Sequence, residues 1–214
     1  MRSQVLTPIT PVGIREPSPL VSSGSLPNTN GSSWFDHYFD NLSSKQCHGK
    51  PLPCSTTNPS MCITQEDADK VYSMGQLEYD LLFSQADTAL KYCTLRYGVF
   101  LWELIAHLRA ALAGGSPIKY RHGIAHDGSI APLIGALQVD KMVWPGMGSE
   151  VVFELWREKD GQQKAFVRVL WGGVPMKTKG PLGTLDLVPL DTFEQHIIGM
   201  VGEGAKLVVQ GCSS

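Results

Sequence analysis

Between Ser116 and Val139 the chain changes its hydrophobic period. Apolar residues alternate at Ile118, Tyr120 and Ile124, then recur at helical spacing at Ile130, Leu133, Ile134 and Leu137. A strand is therefore expected to end, and a helix to begin, at His126-Asp127. Upstream, Thr64 and Asp67 have the form of a capping box, and Val71, Met74, Leu77 and Leu81 follow at helical intervals, predicting a helix over about 65–85. A second helix after Cys93 carries Leu101, Leu104, Ile105, Leu108 and Leu112 on one face and should stop left-handed at Gly114-Gly115.

Downstream, Val151, Phe153 and Leu155 alternate with Val152, Glu154 and Trp156, and 165–171 returns with the same period, predicting an antiparallel hairpin that turns at Lys159-Asp160-Gly161. The segments 172–175 and 177–181 read as loops, and 184–188 as a short extended piece ended by Pro189. Asp191 with Glu194 repeats the capping-box pattern ahead of Phe193, Ile197, Ile198 and Val201. The last apolar run, 207–209, is expected to add a strand or to pack at the end. Near the start, residues 1–33 are rich in Pro, Ser, Gly and Thr without a sustained period and read as a loosely ordered arm, and SWFDHYFDN predicts a short helix docked by its rings.

At 214 residues, 43% hydrophobic, the chain has the length and composition for one sizeable core. Its net charge of −2 gives no electrostatic reason to expect nucleic acid or a membrane surface as partner. No run approaches the roughly 18 apolar residues of a membrane span, and the first twenty residues lack the apolar middle of a signal peptide. Asn30-Gly31-Ser32 and Asn41-Leu42-Ser43 are nevertheless glycosylation sequons, while Asn58 is barred by Pro59. Among five cysteines, Cys47, Cys54 and Cys62 lie in a loop-like segment without C-x2-C spacing, which favours a local disulfide over zinc.

Several chemistries fail on spacing. A strand would hold His122 and His126 roughly 13 Å apart, too far to share a metal ion. No G-x-S-x-G elbow and no P-loop occurs. Arg121-His122-Gly123 resembles the start of a phosphatase nucleophile motif, but Ile124-Ala125-His126 follows where a second arginine and a proline would be required. The His126-Asp127 junction remains. A strand end meeting a helix N-terminus suits an anion, which casts His126 as an anion ligand and Asp127 as a proton donor.

The runs AHDGSIAPLIGALQV, WPGMGSEVVFELW and FVRVLWGG together resemble the C-terminal half of the histidine acid phosphatases, in their fungal, phosphoglycerate-mutase-like branch. The resemblance extends from about Trp34 to Val209 and includes CITQEDADKVYSMGQLEYD as part of a helical insertion. It implies an α/β phosphatase-like sheet flanked by helices, lacking the N-terminal strand-helix unit. The arm of 1–33 would be followed by an insertion with its cysteine loop over 34–115 and by the C-terminal half of the domain over 116–214. The implied activity is phosphoric monoester hydrolysis through a phosphohistidine. His126 would be a phosphoryl ligand and Asp127 the acid that protonates the leaving oxygen, with Gly128 and Ser129 as further substrate contacts. No cofactor or metal is implied, and the partner is a phosphomonoester or inorganic phosphate. The family's nucleophile motif, R-H-G-x-R-x-P, has no match in this sequence, so the expectation is a weak or inactive phosphatase, or a non-catalytic phosphate- or partner-binding module. The resemblance also implies a secretory or extracellular setting for the parent family.

Overall fold

The computed structural model describes residues 2–9, 36–114, 116–158 and 164–213. The Asn30 sequon, most of the expected arm and the Lys159-Asp160-Gly161 turn lie outside them. The chain divides into two compact units, one ending at Glu78 and one formed by 79–214 together with the strand at 2–9.

In the first unit, helix α1 (Asp36–Cys47) precedes a loop closed by the disulfide Cys54–Cys62, and α2 (Gln65–Asp80) begins there. The expected ring docking is present: Phe39 meets Tyr72 edge-on at 5.1 Å. The capping box also forms, with Asp67 Oδ2 accepting from the Thr64 amide at 3.0 Å and the Thr64 hydroxyl accepting from the Asp67 amide at 3.2 Å. The stripe that α2 buries differs from the expected one. Ala68, Gly75 and Tyr79 are buried, whereas Met74 and Leu77 are more than half exposed. Two faces of this helix carry apolar residues at 3–4 spacing, and periodicity cannot choose between them.

In the second unit, the end of α2 passes through a π-helical turn, Leu81–Gln85, into α3 (Ala89–Leu112), which starts earlier than its pattern suggested. Leu101, Leu104, Ile105 and Leu108 are buried as expected, and Gly114 stops the helix region at φ +74°. Helix α4 (Asp127–Ala136) is buried all round from Ile130 to Ala136, the pattern of a core helix.

The sheet is antiparallel, in the order β1 (Arg2–Ile9), β2 (Val151–Arg157), β3 (Ala165–Trp171), with the short β4 (Val174–Pro175) and β5 (Val188–Pro189) both pairing β3. The fold is mixed α/β. The predicted hairpin is β2–β3, in register from Val151↔Trp171 to Arg157↔Ala165. Three expectations are corrected here. Residues 2–9, read as part of a loose arm, form an edge strand whose ladder shifts between Leu6 and Pro8, where a residue without an N–H is tolerated. Gly172-Gly173 is a tight turn at φ +57° and +80° that sends β4 back along β3, not an open loop. The stretch 116–125 is not a regular strand: only Gly123 makes an isolated bridge, and Ile124 is 65% exposed. Alternation makes a strand only where a neighbour pairs its backbone.

Helix α5 (Leu190–Val201) buries Phe193, Ile197 and Val201. Its expected capping box is not made. Pro189 occupies the cap position without a side-chain bond, and Glu194 instead accepts a bond from Arg109 of α3. The terminal apolar run is helix α6 (Lys206–Cys212), and it packs Val208 against Gly98. Among the described residues no helix is long and apolar enough to cross a membrane.

Candidate functional site

The helix expected after His126-Asp127 begins there. His126 takes the cap position with extended backbone, φ −103° and ψ 167°, and its carbonyl accepts from the amides of Ser129 at 2.9 Å and Ile130 at 3.0 Å. Its imidazole is exposed to solvent and makes no hydrogen bond among the described residues. Asp127 is the first helical residue, so its carboxylate lies over the positive end of α4. The His126 side chain makes no cap hydrogen bond.

The carboxylate is held from two sides. Oδ1 accepts from the Gly128 amide at 2.8 Å, and Oδ2 accepts from the Tyr79 hydroxyl at 2.8 Å. Tyr79 is buried, its ring stacked on Trp144 at 4.0 Å and 25° and edge-on to Phe83 at 5.1 Å. Trp144 belongs to the Trp-Pro-Gly segment and is itself buried. Three stretches that are remote in sequence thus meet around one carboxyl group: the end of α2, the start of α4 and the link that follows α4.

Gly128 and Ser129 are half-buried beside these residues. Their amides are engaged, one by the Asp127 carboxylate and one by the His126 carbonyl. Pro132, inside α4, removes the N–H that would bond the Gly128 carbonyl. This is the one place in the helix where the ladder is chemically interrupted, and it lies one turn from the site.

Arg121 and His122 precede the site on the irregular stretch. His122 is exposed, with its ring 6.0 Å from that of Tyr120. Half-buried His107 on α3 has its pKa lowered chiefly by burial and then by the charge of Arg121, with Glu103 acting the other way. Among the described residues no group of three His, Cys, Asp or Glu side chains is placed to hold a metal ion.

Sequence reasoning missed Tyr79 and Trp144 as part of this site. Tyr79 sits on the Ala68, Gly75, Tyr79 face of α2 that the Met74-Leu77 stripe obscured. A buried phenol needs a hydrogen-bond partner, which was the available signal once that face was known to be the inner one.

No family model matches the chain. It is similar to 2-phosphoxylose phosphatase 1 of Danio rerio, 28% identical over 148 residues, which are 59% of this chain and 29% of that protein. It is 29% identical over 164 residues to counting factor 60 of Dictyostelium discoideum, covering 76% of this chain and 34% of that protein. Against human 2-phosphoxylose phosphatase 1 the identity is 25% over 128 residues, 60% of this chain and 26% of that protein. The chain thus spans between a quarter and a third of the length of these curated relatives. Two of these three relatives are named as phosphatases.

Proposed function

We propose that this chain carries the phosphoryl-binding and proton-donating part of a histidine acid phosphatase site. His126 binds the phosphoryl group and Asp127 protonates the leaving oxygen of a phosphomonoester, with Gly128 and Ser129 contacting the substrate. The observation that carries the reading is the carboxylate of Asp127, fixed at the N-terminus of α4 by a buried tyrosine, with an exposed, unengaged imidazole directly before it. The helix end and the imidazole favour an anion, and a carboxyl group placed beside it is positioned to pass a proton to a leaving oxygen. A phosphorylated sugar, of the kind named for the relatives, is a phosphomonoester of this class.

Hydrolysis through a phosphohistidine also needs a nucleophilic histidine. A second reading, in which these residues bind phosphate without turning substrate over, rests on the same exposed imidazole at the start of α4. Titration with inorganic phosphate tests the shared claim: binding is expected for the wild type and weakened for His126→Ala, and identical curves would remove both readings. An aryl phosphate assay then separates them. Hydrolysis that disappears in His126→Ala establishes the phosphatase, and absence of turnover with intact phosphate binding establishes the binding module.

A further inference from the structure

We propose that Tyr79 is a positioning residue for Asp127: its hydroxyl sets the orientation of the carboxyl group and holds it beside the helix terminus when a phosphoryl group takes the Gly128 amide. This rests on the phosphate-binding reading of the site. The Asp127 carboxylate has two donors from different elements, the Gly128 amide on Oδ1 and the Tyr79 hydroxyl on Oδ2, each at 2.8 Å. The Gly128 amide is one of the few donors at the start of α4 available to an incoming anion, and the carboxylate now uses it. The Tyr79 donor is different in kind. Its ring is 8% exposed and clamped between Trp144, stacked at 4.0 Å, and Phe83, edge-on at 5.1 Å. It therefore stays in place when the anion arrives. When a phosphoryl oxygen takes the Gly128 amide, the carboxyl remains anchored through Oδ2 and stays beside the bound group. Without the Tyr79 hydroxyl, the carboxylate has only the Gly128 amide and competes with phosphate for it.

Tyr79→Phe removes the hydroxyl and keeps the ring and its stack. The test measures inorganic phosphate affinity in four proteins: wild type, Tyr79→Phe, Asp127→Ala and the double variant. Tyr79→Phe is expected to weaken phosphate binding about tenfold, the size of a lost hydrogen bond to a charged group, and to have no effect in the Asp127→Ala background. Where His126→Ala weakens phosphate binding, an equal loss in both backgrounds, or no loss in either, would overturn the proposal. In the phosphate-free protein, the Asp127 side-chain 13Cγ resonance is expected to move in Tyr79→Phe while the resonances of α5 stay in place. An unmoved Asp127 signal would overturn the proposal whatever phosphate does. If wild type and His126→Ala give the same phosphate curve while the 13Cγ signal moves, the phosphate-binding reading falls and the positioning of Asp127 by Tyr79 stands.

Discussion

Gly135 of α4 lies so close to Cys93 of α3 that a Cβ on the glycine would come 2.6 Å from the Cys93 sulfur and 2.7 Å from the carbonyl oxygen of Phe83. The first neighbour is a side chain that can be shortened, and the second is backbone that cannot. Gly135→Ala is therefore expected to destabilise the protein by about 1–3 kcal/mol, the usual cost of overpacking a core. Pairing it with Cys93→Ala should recover only part of that loss, because the Phe83 carbonyl remains. Urea unfolding of the two single variants and the double variant checks this, and full recovery would assign the whole clash to the sulfur.

The same burial governs thiol chemistry. Cys93 is buried and its pKa is pushed up to about 12, chiefly by desolvation and against the opposing charge of Arg96. Cys47 and Cys212 are exposed, and Cys54 and Cys62 are joined. At pH 8 a thiol reagent is expected to label Cys47 and Cys212 in the folded protein, with Cys93 reacting only after unfolding. Burial favours the protonated thiol of Cys93. This contribution is fully present below the ordinary thiol value of 9 and is lost as pH rises from there through about 12. Rapid labelling of Cys93 under native conditions would contradict its placement against Gly135.

Glu154 is the charged residue buried in the β2–β3 hairpin. Its Oε2 accepts from Arg168 Nε at 2.6 Å and from Trp156 Nε1 at 3.0 Å, and the Arg168 guanidinium lies over the Trp156 ring at 4.7 Å. Arg168→Met removes one donor and leaves a buried carboxylate. Breaking a fully buried pair costs about 3–5 kcal/mol, and the partial exposure of the arginine brings the expected loss to about 2 kcal/mol. Adding Glu154→Gln to that variant should restore most of it, since the uncompensated charge is then gone. Chemical denaturation of the four-member cycle measures the coupling.

Acid is expected to destabilise the second unit through two histidines. His196 on α5 has its pKa lowered by burial, and His107 by burial and then by Arg121. Lowered values mean that the unfolded chain takes up protons first. Stability from these groups is thus full above about pH 6.5, the unperturbed histidine value, and falls as pH drops through the folded values. His196→Gln should flatten the loss of unfolding free energy between pH 7 and pH 5, and an unchanged slope would mean that His196 is not a source of it.

The sequence alone determined the elements whose signals are local. The cap at Thr64-Asp67, the buried face of α3 and its glycine stop, the β2–β3 hairpin and the start of a helix at His126-Asp127 all follow from side chains acting within a turn or a pleat of themselves. Tertiary structure decided what depends on a distant neighbour. Residues 2–9 became a strand by pairing with 151–157, while 116–125, with the better alternation, did not, because a ladder needs a partner and alternation supplies only a face. Of two apolar stripes on α2, packing buried the one holding Tyr79. Glu194 left its cap for Arg109, since a carboxylate within reach of a guanidinium gains more from that pair than from a helix end. The candidate site divides in the same way. His126 and Asp127 were legible because they are adjacent in the chain, whereas Tyr79 and Trp144 lie 48 residues before Asp127 and in the link after α4. Only the packing of Tyr79 and that link against the start of α4 brings a phenol to the carboxylate, and burial between two rings is what keeps it there.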